Sequence, residues 1–190
     1  MTHVAARGLA KRFGDRRVFQ GVDVEVGDGG FLLVTGPNGS GKTTLLRILA
    51  RLAAPTAGAV ELPPREAIGY LGHEPLVYRE LTPLENLSLF ARLYGVERER
   101  VGMLLERFGL WEVRNERVST FSRGMQQRLG LCRVLLHEPS LLVLDEPSNA
   151  LDEQGLRLLD SVLDEPRTVV VATHDPVRFD LRATVRLAFA

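Results

Sequence analysis

The chain has 190 residues, a length that suits one domain or one core with an inserted subdomain. Hydrophobic residues make up 45% and charged residues 25%, the composition of an ordinary globular protein. The 24 basic and 24 acidic residues cancel, which argues against a general nucleic-acid binder, so we expect no nucleic-acid partner. Cys132 is the only cysteine, which excludes an internal disulfide and favours a reducing compartment.

Two further features bear on membranes. The N-terminal sequence has no apolar stretch of the signal-peptide kind. No run approaches the roughly 18 apolar residues that a membrane span requires. We therefore expect a chain that does not cross a membrane itself, but that can dock on a protein that does.

Apolar periodicity predicts alternating strands and helices along most of the chain. The runs at 31–35, 141–144 and 168–172 are continuously apolar, as expected of buried parallel strands. This alternation predicts a mostly parallel sheet with right-handed crossovers. The other predicted elements are strands at 18–26, 59–62, 67–71 and 183–189, and helices at about 45–52, 84–93, 104–108, 124–137 and 156–163.

The middle of the chain has a different character. Thr82-Pro83-Leu84-Glu85 is a capping box with proline at the first helical position, a strong start for a helix that Gly95 is expected to end. Residues 74–137 contain predicted helices and no predicted strand. We interpret them as a helical subdomain inserted into an α/β core formed by 1–73 and 138–190, all within a single domain.

A glycine-rich loop follows the strand at 31–35. Its sequence, GPNGSGKT, matches G-x-x-x-x-G-K-[ST] between a predicted strand and a predicted helix. Its backbone N–H groups would point at phosphate oxygens, Lys42 would reach the β- and γ-phosphates, and the Thr43 hydroxyl would bind Mg²⁺. The alternative, a glycine-rich turn that matches by chance, is disfavoured by this context. The expected nucleotide-binding residues here are Gly36, Pro37, Asn38, Gly39, Ser40, Gly41, Lys42, Thr43 and Thr44.

An acidic pair follows the strand at 141–144. Asp145 is expected to hold Mg²⁺, directly or through water, and Glu146 to orient and deprotonate the attacking water. The alternative is a pair of solvated acids at a strand end. The intact phosphate loop favours the catalytic interpretation, with Lys42 as a further catalytic residue.

Other motifs resemble one family in particular. The segment FSRGMQQR at 121–128 resembles the signature motif of ATP-binding cassette ATPases, LSGGQ-x-x-R, and LLVLDEPSNALD at 141–152 resembles their second nucleotide motif and D-loop. His174 matches the switch histidine, a catalytic residue, and Phe13 matches the aromatic residue that stacks on adenine. The motifs cover essentially the whole chain in the family's order. The resemblance implies an ATPase that uses ATP and Mg²⁺.

The same resemblance implies the fold and the assembly. The fold would be a P-loop NTPase core with a mostly parallel sheet, an antiparallel β portion near the N-terminus and an inserted helical subdomain. The family acts as a head-to-tail dimer, so Ser122 and Gly124 of one subunit would cover the ATP bound by the other, with Asp152 facing the partner. Taken alone, Ser122 is an ordinary helix cap, His174 a structural histidine and Phe13 a partly buried aromatic residue.

The chain departs from the family pattern at two places. Arg123 and Met125 replace the first glycine and the glutamine of the signature. The family also has a glutamine shortly after the strand at 67–71, where this chain has His73 followed by Glu74. Both remain candidates for contacting metal or water.

The segments YLGHEP and ELTPLENL narrow the resemblance to the haem-exporter ATP-binding subunits of cytochrome c biogenesis. This implies an integral membrane partner that docks around residues 79–94, and a location at the cytoplasmic face of the membrane. A different small exporter remains an alternative. A soluble cassette ATPase is disfavoured because paired cassettes, long coiled coils or zinc-binding insertions do not fit in 190 residues with one cysteine. A module that holds ATP without hydrolysing it is disfavoured by the presence of Glu146 and His174.

Overall fold

The computed structural model describes residues 4–189, which form two compact units. The phosphate-loop unit comprises residues 4–70, 140–146 and 166–189, and the helical unit comprises 71–139 and 147–165. The strands are β1 (Val4–Phe13), β2 (Arg16–Val26), β3 (Phe31–Thr35), β4 (Ala57–Glu61), β5 (Ile68–Leu71), β6 (Leu141–Asp145), β7 (Thr168–Thr173) and β8 (Val185–Ala188), and the helices are α1 (Lys42–Leu49), α2 (Pro83–Tyr94), α3 (Arg98–Arg107), α4 (Arg123–Leu135) and α5 (Glu153–Leu163).

The larger sheet has five strands in the order β5-β6-β7-β3-β8. Strand β3 pairs in parallel with β7 and β8, and β6 pairs in parallel with β7. The central strands are buried on both faces, which explains their continuous apolar sequences. Thr35 lies opposite Thr173 and Asp145 opposite Ala172, so the phosphate loop, Glu146 and His174 all follow strands that end at one edge of the sheet.

A second, three-stranded sheet has the order β2-β1-β4, and both of its pairings are antiparallel. Together the two sheets confirm the predicted α/β class with its antiparallel portion near the N-terminus. Strand β1 was not predicted as a strand, because Gly8, with φ of 58°, and register shifts interrupt its alternation.

The first helix of the helical unit, α2, begins with the predicted capping box. Thr82 Oγ1 accepts from the Glu85 N–H at 3.2 Å, Glu85 Oε2 accepts from the Thr82 N–H at 2.8 Å, and Pro83 occupies the first turn. Gly95, with φ of 67°, ends the helix in the left-handed conformation. No helix between residues 4 and 189 combines the length and apolar content that a membrane crossing requires.

Several predicted bounds were wrong by a few residues. The helix predicted at 45–52 is α1, which ends at Leu49 because Arg51, with φ of 55°, turns the chain. The helix predicted at 104–108 is α3, which begins earlier, at Arg98. Its first turn is charged rather than apolar, so periodicity gave no signal there.

Candidate functional site

The phosphate loop joins β3 to α1 in a conformation that favours glycine. Gly36, Gly39 and Gly41 have φ values of 144°, 82° and 110°, which L-residues rarely adopt. Gly41 caps α1, so the loop leads directly into the positive end of that helix. The loop therefore has the form that a phosphate group requires, and Asn38 and Pro37 complete its turn.

Two side chains of the loop have unused hydrogen-bonding capacity. Lys42 is only 6% exposed, and its Nζ donates to the carbonyl oxygens of Gly36 at 2.7 Å and Pro37 at 3.0 Å. An ammonium group has about three donors, so one remains for a phosphate oxygen. Ser40 Oγ is buried and has no hydrogen-bond partner among the described residues, which is costly unless a ligand supplies one.

Thr43 and Asp145 meet beside the loop. Thr43 Oγ1 donates to Asp145 Oδ2 at 2.7 Å, and Asp145 is only 1% exposed. A hydroxyl and a carboxylate are oxygen donors of the kind that Mg²⁺ prefers. Residues 4–189 contain no group of three or more His, Cys, Asp or Glu side chains that could hold a metal. This donor set fits Mg²⁺, which is commonly bound by few protein oxygens together with substrate phosphates.

Tyr70, the third residue of β5, also lies near Asp145 and was not predicted as a site residue from the sequence. Burial raises the pKa of its phenol and the Asp145 carboxylate raises that pKa further, while the side chain of Arg47 acts in the opposite direction. The phenol therefore stays protonated at neutral pH. No local motif marks this tyrosine, because its neighbours come from distant parts of the chain.

Glu146 is buried and its backbone is strained. Its φ of 51° is left-handed, a conformation that costs a non-glycine residue about 1–3 kcal/mol and often occurs at functional sites. Its Oε1 accepts from the backbone N–H of His174 at 2.9 Å and lies 2.8 Å from His174 Nδ1, and its Oε2 accepts from Thr173 Oγ1 at 2.9 Å. A carboxylate has about four acceptor sites, so one remains for a water molecule.

His174 is held from one side by this carboxylate. Because a carboxylate only accepts, Nδ1 must carry the proton that it shares with Glu146. The half-exposed ring thereby has a defined tautomer and orientation. Sequence reasoning missed Thr173, although it stands immediately before the predicted histidine.

Phe13 is the last residue of β1 and is 59% exposed. Lys11 Nζ lies 4.9 Å from the centroid of its ring. The alternative of a partly buried aromatic residue was therefore wrong. Phe13 therefore presents an exposed aromatic ring.

Thr44, the last predicted residue of the phosphate loop, lies in α1 directly after Thr43.

In the helical unit, the signature residues surround the start of α4. Ser122 is the N-cap, and its Oγ accepts from the Met125 N–H at 3.2 Å. A Cβ at Gly124 would lie 2.8 Å from the carbonyl oxygen of Ala150, so only glycine fits there. Asp152 caps α5 by accepting from the Gly155 N–H at 2.8 Å. The helix-cap role considered for Ser122 is thus present in the structure.

His73 and Glu74 are exposed and belong to the helical unit, whereas Thr43 and Asp145 belong to the phosphate-loop unit. They line a polar cleft of about 550 Å³ together with residues of α4 and of the segment before α5. Its other polar lining residues are Arg123, Gln126, Gln127 and Asn149.

Residues 19–149 match the family model of the ABC transporters. The uncharacterized ABC transporter ATP-binding protein YdbJ of Bacillus subtilis is 37% identical over 88% of this chain and 59% of its own length. The daunorubicin resistance ATP-binding protein DrrA3 of Streptomyces coeruleorubidus is 40% identical over 81% of this chain and 53% of its own length. The cytochrome c biogenesis ATP-binding export protein CcmA of Pseudomonas putida is 38% identical over 90% of this chain and 89% of its own length.

The chain thus spans 59% of the length of the first of these relatives. A solved structure of an ATP-binding subunit of an ABC transporter has the same fold, with a TM-score of 0.88 over 99% of this chain and 86% of that one, at 24% identity. The chain therefore belongs to the ABC transporter family, whose ATP-binding domains hydrolyse ATP.

Proposed function

We propose that Glu146 is the base that activates water for ATP hydrolysis in this chain, and that the reaction drives a membrane transporter. One observation supports this most directly: the Glu146 carboxylate is buried and held at both oxygens, yet keeps one acceptor site. A base held in this way is oriented before substrate arrives.

In the proposed reaction, a water oxygen forms a bond to the γ-phosphorus while the bond to the β,γ-bridging oxygen breaks. Glu146 takes the water proton, and ADP leaves with the bridging oxygen. Lys42 and the loop N–H groups bind the phosphate oxygens, and Ser40 Oγ gains the partner that it lacks. His174 and Thr173 keep the carboxylate in place. The exposed ring of Phe13 would stack on the adenine.

Thr43 and Asp145 would hold Mg²⁺, and their contact at 2.7 Å already brings the two oxygens together. The ion would neutralise phosphate charge. His73 and Glu74 are the candidates for a further contact to metal or water.

We further propose that the two units together form one ATPase domain, with 74–137 as its helical subdomain, and that the domain works as a dimer. Ser122 and Gly124 would then cover the ATP of the other subunit, and Asp152 would face that subunit. Nucleotide binding would close the dimer and hydrolysis would open it, because only the triphosphate offers the γ-phosphate contacts.

The membrane partner and the substrate are proposed from the relatives. The CcmA protein is matched over 89% of its length, more than the other two relatives, which supports a subunit that exports haem for cytochrome c biogenesis. A drug exporter is the alternative that DrrA3 supports. In either case the chain would sit at the cytoplasmic face of the membrane, held by its membrane subunit.

The hydrolysis proposal is tested by the ATPase rate of Glu146→Gln. Loss of the base should lower kcat about 100- to 10,000-fold while ATP still binds. Glu153→Gln is the matched control, because Glu153 is exposed and pairs with Arg157 on its own helix. Hydrolysis by Glu146→Gln at the wild-type rate would reject Glu146 as the base.

The transport proposal is tested by tagged recovery from solubilised membranes. We expect a protein with several membrane spans, and a product of the cytochrome c assembly genes would support haem export. Leu93→Glu, on the exposed side of α2, should lower the recovery, whereas Leu181→Glu, a fully exposed leucine of the phosphate-loop unit, should not. Recovery of soluble partners alone would reject the transport role.

A further inference from the structure

The residue after β8 lies against the start of the phosphate loop. The Phe189 N–H donates to the Thr35 carbonyl oxygen at 2.8 Å and so extends the pairing of β8 with β3 by one bond. Thr35 is the last residue of β3, and the loop begins at the next residue. Phe189 lies beyond residues 19–149, the part of the chain that matches the family model.

Gly36 has no room for a side chain because of Phe189. A Cβ there would lie 2.8 Å from the Phe189 carbonyl oxygen and 2.9 Å from its Cβ, with Ser40 Oγ also at 2.9 Å. Atoms of the backbone and Cβ cannot move aside as the end of a flexible side chain can. The direction in which the chain enters the loop is therefore set by the main chain of residue 189 as well as by φ at Gly36.

The ring of Phe189 lies at the other end of the loop. A Cβ at Gly41 would lie 2.9 Å from Val18 Cγ1, 3.1 Å from Phe19 Cδ1 and 3.8 Å from Phe189 Cε1. The rings of Phe19 and Phe189 meet edge to face, with centroids 5.7 Å apart. Both rings therefore lie near Gly41, the residue before Lys42, where the loop enters α1.

We infer that Phe189 is a positioning residue for the phosphate loop: its backbone supports the entry at Gly36, and its ring, together with Phe19, supports the exit at Gly41. The N–H groups that bind phosphate lie between these two points, so their directions depend on both supports. Small errors in such positions are costly, because the donors must meet phosphate oxygens that are fixed relative to one another. The inference rests on the proposed ATPase function for its consequence, but not for its geometry.

The inference is tested with Phe189→Ala, Phe189→Leu and Leu187→Ala. Alanine at 189 keeps the backbone contacts and removes only the ring, and leucine restores part of its volume. Leu187 is the matched control: it lies two residues earlier, in β8, and packs on the same apolar core, but it is not among the nearest contacts of Gly36 or Gly41. Thermal unfolding reports the loss of core packing in each variant.

Two measurements separate positioning from general stability. Hydrogen exchange of the peptide covering residues 36–43, without nucleotide, should be faster in Phe189→Ala, intermediate in Phe189→Leu and unchanged in Leu187→Ala. The Kd for a fluorescent ATP analogue should rise on the order of tenfold in Phe189→Ala and stay near the wild-type value in Leu187→Ala.

Wild-type exchange of the loop in Phe189→Ala would overturn the inference, as would equal acceleration by Leu187→Ala. If the alanine variant does not fold, the exchange of the loop in Phe189→Leu decides in the same way. If the wild-type chain fails to bind ATP, the proposed ATPase function is rejected. The exchange measurement needs no nucleotide, so it still tests whether Phe189 positions the loop.

Discussion

The two units present their functional side chains in opposite ways. In the phosphate-loop unit, Lys42, Asp145 and Glu146 are buried, and Thr43 and Thr173 donate to the two carboxylates. In the helical unit, His73, Glu74, Ser122 and Arg123 are exposed. Ser122 accepts only from the backbone of its own helix.

The two units therefore orient their functional side chains by different means. Charges buried in the phosphate-loop unit must be paired, so their pairing fixes their orientation within one fold. The exposed groups of the helical unit have no such requirement and remain accessible to a ligand from outside. The proposed dimer, in which Ser122 meets ATP bound by another subunit, gives those groups a partner.

The largest effect expected within this comparison concerns Thr173. Thr173→Val removes the hydroxyl that donates to Glu146 and keeps the shape, so kcat should fall about 10- to 100-fold, since a hydrogen bond to a charged group contributes about 1.5–3 kcal/mol. Thr168→Val is the control, because this equally buried threonine stands at the other end of β7 and bonds the backbone of Gly29. Equal ATPase rates for the two variants would contradict a positioned base.

A smaller effect distinguishes a helix cap from a ligand contact in the helical unit. Ser122→Ala and Thr82→Ala each remove an N-cap and should each lower the free energy of unfolding by about 1 kcal/mol. Only Ser122→Ala should also weaken ATP-dependent dimerisation. This is measured by sedimentation velocity, with Glu146→Gln present in every variant. Equal dimer dissociation constants for the two variants would mean that Ser122 acts as a helix cap and does not contact the ATP of the other subunit.

The smallest effect is a pH dependence in the same unit. The hydrogen bond from the Thr82 N–H lowers the pKa of Glu85, with a further contribution from the Thr82 hydroxyl. Because the folded pKa is the lower one, the stabilisation is present above the unfolded pKa of about 4.3 and is lost as pH falls through the folded value. The difference in unfolding free energy between the wild type and Glu85→Gln should therefore shrink on acidification.

The cap also changes how Glu85 should be used in coupling experiments. Charge reversal at Glu85 would be an ambiguous test of coupling to a membrane partner, because this side chain belongs to the capping box and the change would also disturb the start of α2. The pH measurement checks this assignment, because a difference that persists unchanged in acid would contradict it. Leu93 is the cleaner probe of a membrane partner, since it is exposed and 69% accessible.

The sequence by itself predicted the features whose causes are local. The bounds of β3, the phosphate loop and the capping box of α2 each depend on a short run of residues, whose φ preferences, apolar pattern or capping chemistry suffice. The motif residues Lys42, Asp145 and Glu146 could be named for the same reason, and the fold class followed from the alternation of strands and helices.

Contacts between residues that are distant in the sequence could not be predicted without the fold. Thr173 and His174 contact Glu146 because β6 and β7 are parallel neighbours, and Phe189 reaches Gly36 because β8 pairs with β3. No local pattern encodes these contacts, since they depend on strand order and register. The left-handed φ of Glu146 has the same origin, because a strained backbone persists only where the surrounding fold holds it in place.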